Sequence, residues 1–153
     1  LGETDFPDFK ITNQQYKEFW SELIRVKKQG APIANSLYAL RKVVEWPIGY
    51  HAFITGKQAE RFHYTPVFCA SGYTYCGIDS SGIMCNCINL GLKNGLNVRE
   101  VGIKKAWDHL PEIRRSTGCV SCATLNTVET SVYMNLAPTI WWDAVRYHLQ
   151  FLR

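Results

Sequence analysis

Tyr73-Thr74-Tyr75-Cys76-Gly77-Ile78-Asp79-Ser80-Ser81-Gly82-Ile83-Met84-Cys85-Asn86-Cys87 is the stretch on which the reading of this chain turns. Two β-prone runs flank Asp79-Ser80-Ser81-Gly82, the pattern of a hairpin. Gly82 suits the left-handed position of a three-residue loop closed by a bulge. With Asp79 and Ile83 closing that loop, Gly77 falls opposite Cys85 and Cys76 opposite Asn86. Side chains alternate along a strand, so Cys85 and Cys87 are expected on one face and Cys76 on the other. A two-residue loop would instead set Cys76 against Cys85.

Working outward, the six cysteines are Cys69, Cys76, Cys85, Cys87, Cys119 and Cys122, and the first 68 residues hold none. Cysteines that only fill a core scatter; these group as C…C…C-x-C…C-x-x-C. Thiolates from a hairpin and from Cys119-Val120-Ser121-Cys122 can meet at one metal, with the C-x-x-C expected as a turn that faces both sulfurs one way. Zinc would take Cys₄ or Cys₃His, and an iron–sulfur cluster would take Cys₄. The spacing leaves that choice open. Cys76, pointing away from the other hairpin thiols, reads as a small buried hydrophobe.

The 153 residues, 46% hydrophobic, suffice for one ordinary core, or one domain plus a piece of another. The net charge, 17 − 13 = +4, comes with no basic block. No nucleic-acid groove is expected. No apolar run approaches the roughly 18 residues of a membrane span. The sequence itself shows no export signal, so the expected compartment is cytoplasmic and reducing, where clustered thiols mean metal more often than disulfides. The opening Leu1-Gly2-Glu3-Thr4 suggests a piece of a longer protein.

Thr12-Asn13-Gln14-Gln15 reads as a capping box for a helix over 13–29, with Tyr16, Phe19, Trp20, Leu23 and Val26 inward and Gly30 as its stop. Pro32-Ile33-Ala34-Asn35 reads as a strand. Ser36 caps a helix over 37–45 that ends at Trp46-Pro47. A short helix is expected over Lys57 to Phe62, a loop over 88–101, and helices over 102–110 and 112–115 interrupted by Pro111. Further helices are expected over 126–135 and from Pro138 to near Leu152, the last with Trp141, Val145, Leu149 and Leu152 as its apolar face. The class is α+β: a helix-strand-helix edge, a cysteine-bearing β-hairpin and C-terminal helices.

Phe68-Cys69-Ala70-Ser71-Gly72, then Ile78-Asp79-Ser80-Ser81-Gly82, then Cys87 resembles the start of the auxiliary-cluster region of radical S-adenosylmethionine enzymes, the SPASM or shorter twitch domain. Gly95-Leu96-Asn97-Val98, Ile103 to Trp107, Arg114-Arg115 and the C-x-x-C continue the likeness over about residues 66–125. Upstream, Lys27 to Ser36 is similar to the last helix-strand-helix of the partial (β/α) barrel that precedes that region. The resemblance implies two parts: residues 1–65 as the C-terminal elements of the barrel, and 66–153 as the auxiliary domain with its C-terminal helices. It implies a [4Fe–4S] cluster on Cys69, Cys87, Cys119 and Cys122, serving electron transfer or structure.

The chain also departs from that pattern. No cysteine follows Cys122, which fits the one-cluster twitch form. Asn86 stands where the family often has Pro. Cys85 is an extra thiol that could substitute for Cys87. No C-x-x-x-C-x-x-C occurs, so this chain alone is expected to be inactive, with S-adenosylmethionine bound by a missing N-terminal core. A non-catalytic Cys₄ zinc module is the alternative, and the substrate is unknown.

The remaining candidates read more plainly. His63 could form a nucleophilic pair with Cys69, but nothing marks an oxyanion site. His51 or His63 could replace a thiol ligand; His109 and His148 read as ordinary helix residues. Asp79 is a turn residue. Glu112, Glu129 and Asp143 read as surface or capping charges, and Trp141-Trp142 as packing for the last helix.

Overall fold

A computed structural model describes residues 11–90 and 94–135, together with 141, 142, 145 and 149. The capping box forms: Thr12 Oγ1 accepts from Gln15 N at 3.1 Å and Gln15 Oε1 accepts from Thr12 N at 2.8 Å. It starts α1, Asn13–Lys28. The inward face of α1 is Tyr16, Trp20 and Ile24. Phe19, expected inward, is exposed, its ring edge-on to Trp20.

Residues 32–35 do not form the expected strand. Ile33 bonds locally instead: its N–H donates to Ala31 O at 2.8 Å and its carbonyl accepts from a side chain. Lys27 Nζ donates to Ile33 O at 2.7 Å, and Ser36 N donates to both carboxylate oxygens of Glu129 at 3.0 Å. Ser36 then caps α2, Leu37–Val44, its Oγ accepting from Ala39 N at 3.1 Å. Such a cap is worth about 1 kcal/mol.

A strand that the sequence did not announce follows: β1, Phe53–Thr55, leading into α3, Gly56–Arg61. The hairpin pairs β2, Gly77–Ile78, with β3, Ile83–Cys85, in the expected register, Gly77 opposite Cys85. Gly82 sits at φ 92°, and Ile83 N donates to Asp79 Oδ1 at 2.7 Å, so the aspartate braces its own turn.

The expected loop over 88–101 holds structure instead. A 3₁₀ turn spans Ile88–Leu90, β4 (Leu96–Asn97) adds a third strand beside β3, and α4 spans Val98–Val101. Asn97 caps α4 with its side chain, a role its type favours. Residues 91–93 of that loop lie outside the described residues.

Pro111 does not divide its helix: α5 runs from Ile103 to Thr117. Its buried face, Ala106, Leu110 and Ile113, packs both halves against Met84 and outweighs the bond that proline removes. The C-x-x-C is not a turn but a strand, β5, Cys119–Cys122, antiparallel to β1. The last described continuous element is α6, Leu125–Met134.

Most of the helix expected from Pro138, with Asp143 and His148, lies outside the described residues. Trp141, Trp142, Val145 and Leu149 are helical and exposed.

The architecture is therefore α+β, helices around two small antiparallel sheets. One core cluster joins Ala39, Leu40 and Val43 of α2 to Val67 and to Leu125, Val128 and Val132 of α6, so the segments before and after residue 65 share a core. Full burial of Leu40 alone contributes roughly 1.5–3 kcal/mol. A second cluster packs Trp46 on Ile54, Ala59 and Ala123, fixing the β1–β5 pair. The third binds the hairpin to α5.

Candidate metal centre

Cys69, Cys87, Cys119 and Cys122 line one cavity that opens to solvent. They arrive on three backbone devices: a loop, a 3₁₀ turn and one strand. Cys69 sits in a loop pinned from three sides. Ala70 N donates to Ser131 Oγ at 3.1 Å, Asn135 Nδ2 donates to Phe68 O at 2.8 Å, and Arg114 Nη1 donates to Cys69 O at 2.5 Å and Ser71 O at 3.0 Å. The Arg114 guanidinium lies over the rings of Phe68 and Tyr73, 5.1 and 4.9 Å from their centroids.

Cys87 follows the hairpin. The strand stops at Cys85, so the alternation expected to put Cys85 and Cys87 on one face does not carry through. Cys87 instead opens the 3₁₀ turn, with Leu90 N donating to its carbonyl at 3.1 Å. Burial pushes its thiol above the ordinary range. The backbone N–H of Asn89 opposes that shift, and the neighbouring Cys122 and Cys69 add to it.

Cys119 and Cys122 share β5. Three residues apart on a regular strand, they would face opposite ways. The register shifts between them: Ile54 pairs with Ser121 and Thr55 with Cys119, which leaves Val120 unpaired as a bulge. The extra residue resets the alternation, and both cysteines line the cavity. Burial pushes the Cys119 thiol up to about 12, with Cys69 and Cys122 adding to the rise and the Arg114 charge opposing it. Asn89 Nδ2 lies 3.9 Å from Cys122 Sγ and donates to Thr124 Oγ1 at 2.9 Å.

The other two thiols stand apart. Cys85 is buried and does not line the cavity; its thiol is raised by burial and then by Cys76 and Asp79, while the backbone N–H groups of Cys87 and Gly77 oppose the rise. Cys76 packs against the Met84–Leu110 core, as a small hydrophobe would. Among the described residues no group of three His, Cys, Asp or Glu could hold a single metal ion. The four thiols ring a cavity; they do not converge on one point.

The rim comes from the segment before β1. Tyr50 stacks on Tyr16, rings 4.5 Å apart and 7° from parallel, and this sets Tyr50 and His51 beside the cavity. His63 lines a separate depression with Tyr64 and Val120, away from Cys69's cavity. His109 Nδ1 lies 3.1 Å from Glu112 on α5. Glu129 is not a surface charge: it is buried and caps α2 through Ser36.

Sequence reasoning passed over two cavity residues, Arg114 and Asn86, as site groups. A polar Asn between two cysteines, where the hairpin turns inward, was the available signal for the second. No family model, curated protein or solved structure matches this chain.

Proposed function

We propose that this chain is the auxiliary-cluster region of a radical S-adenosylmethionine enzyme. In this reading Cys69, Cys87, Cys119 and Cys122 hold one [4Fe–4S] cluster, and Cys76 and Cys85 hold no metal. The single observation that carries the reading is the sorting of six thiols into four around one cavity and two elsewhere. The four are the cysteines that the motif likeness singles out.

The motif likeness favours a cluster over zinc, because it assigns the four cysteines that line the cavity to one [4Fe–4S] cubane.

The cluster, when bound, supplies one-electron transfer or a structural clasp. With four thiolates it keeps no iron open to substrate. The chain's own residues do the rest. Arg114 fixes the Cys69 loop and places a positive charge beside four thiolates, and the bulge at Val120 turns two of them inward. Tyr50, His51 and Phe53 form the rim.

In this reading residues 1–65 end a partial barrel. The radical-generating core lies in a preceding part of the complete protein, because this chain carries no C-x-x-x-C-x-x-C. Its place is the reducing cytoplasm. Among the described residues no helix is long and apolar enough to cross a membrane.

Anaerobic reconstitution with iron and sulfide tests the proposal. The expected product is brown, with absorbance that bleaches on reduction. A colourless product carrying one tightly held zinc would instead support a structural zinc module.

A further inference from the structure

Asn86 is 3% exposed, lines the cavity, and has no hydrogen-bond partner at either Oδ1 or Nδ2. A buried carboxamide left this way costs roughly 1–3 kcal/mol for each unsatisfied group. A leucine has nearly the same shape and would carry no such cost.

The surrounding backbone is nevertheless built to admit the amide. Ser71 Oγ donates to Asn86 O and holds its main chain. Gly72 stands at φ 79°, and a Cβ there would come within 2.8 Å of Asn86 Oδ1. Any other residue at position 72 would be strained and would strike the carboxamide. The loop that carries Cys69 is thus shaped around the Asn86 side chain. Because no protein group fixes the amide's orientation, a half-turn about its last torsion brings Nδ2 to whichever side needs a donor.

We propose that Asn86 donates a hydrogen bond from Nδ2 to the sulfur-bearing centre held by the four cavity cysteines. It does so as a positioning and tuning residue, not as a ligand. The proposal rests on the cluster reading above for its main readout.

The direction of its effect follows from charge. A cubane of charge 2+ held by four thiolates carries 2− overall, and a one-electron reduction takes it to 3−. A hydrogen-bond donor stabilises the more negative form more strongly, so Asn86 raises the reduction potential. Losing one such bond is worth about a tenfold change in the one-electron equilibrium, or roughly 59 mV.

The test compares wild type with Asn86→Leu in two measurements. In mediated redox titrations of the reconstituted protein, Asn86→Leu is expected to shift the midpoint negative by that tenfold factor. In denaturant unfolding of the metal-free protein, Asn86→Leu is expected to be as stable as wild type or more so. An unchanged midpoint in the leucine variant, with lower metal-free stability, would assign Asn86 a packing role and overturn the proposal.

If wild type takes zinc and no iron, the cluster reading fails separately. The Asn86 donor is then read in chelator competition, where Asn86→Leu should weaken zinc binding about tenfold. Equal affinity in that case overturns the proposal too.

Discussion

Cys119 and Cys122 line the same cavity although they lie three residues apart on one β-strand, because Val120 between them has no partner on β1. The bulge does for a strand what a turn does in other C-x-x-C sites. It also gives Val120 a use on the opposite side, against the Trp46 and Ile54 cluster.

This arrangement makes a length prediction. Deleting Val120 leaves Cys-Ser-Cys on a regular strand, both sulfurs still on one face. Metal content is expected to survive, with stability lower by about 1–2 kcal/mol for the lost packing. While the bulge at Val120 persists, one alanine inserted between Val120 and Ser121 sets the two sulfurs on opposite faces, and metal content is expected to collapse. Metal analysis of the two variants, with unfolding curves, checks both halves.

The hairpin register was legible because one glycine decides it. Gly82 at positive φ fixes the loop, and Gly77 falls opposite Cys85 as expected. Capping boxes and caps were legible for the same local reason, as at Thr12 and Ser36. What sequence could not show depends on partners far along the chain. β1 exists because Phe53 to Thr55 meets β5, more than sixty residues later. Residues 32–35 look like a strand, but Ile33 bonds to Ala31 and Lys27, and Glu129 takes the Ser36 N–H just beyond them. Cys87 was expected on the face of Cys85 because alternation was carried two residues past the strand's end.

The split of the thiols is tested by substitution. Cys76→Ser and Cys85→Ala are expected to keep wild-type metal content. Serine at 69, 87, 119 or 122 is expected to remove it. Iron and zinc counts across the six variants are the readout, and loss of metal in Cys85→Ala would return Cys85 to the site.

Arg114 joins structure to electrostatics. It holds two carbonyls of the Cys69 loop and opposes the rise of the Cys119 thiol. Arg114→Met is expected to cost roughly 2–3 kcal/mol of stability for two charge-assisted bonds. It should also weaken metal binding at least tenfold, since protons then compete better for the thiolates. Arg114→Lys keeps the charge without the planar fork. It should restore metal affinity more fully than stability, measured by chelator competition and denaturant unfolding.

Glu129 gives a pH signature. Burial raises its carboxyl above the ordinary glutamate range, while the Ser36 amide and hydroxyl hold it down in part. A raised acid favours its protonated form in the folded state. Its contribution is complete below the unfolded value of about 4.3 and is lost as pH rises through the raised native value. In metal-free protein, Glu129→Gln should flatten that decline and keep the cap on α2. Unfolding free energies across the acidic to neutral range, wild type against variant, check the slope. Parallel curves would remove Glu129 as its source.

The central claim is one cubane on four thiols, and native mass spectrometry of the anaerobically reconstituted protein addresses it most directly. The account predicts one added species per chain, of about four iron and four sulfide. That species should be present in wild type, Cys76→Ser and Cys85→Ala, and absent when Cys69, Cys87, Cys119 or Cys122 is replaced. A wild-type mass carrying a single zinc and never the cubane would contradict it.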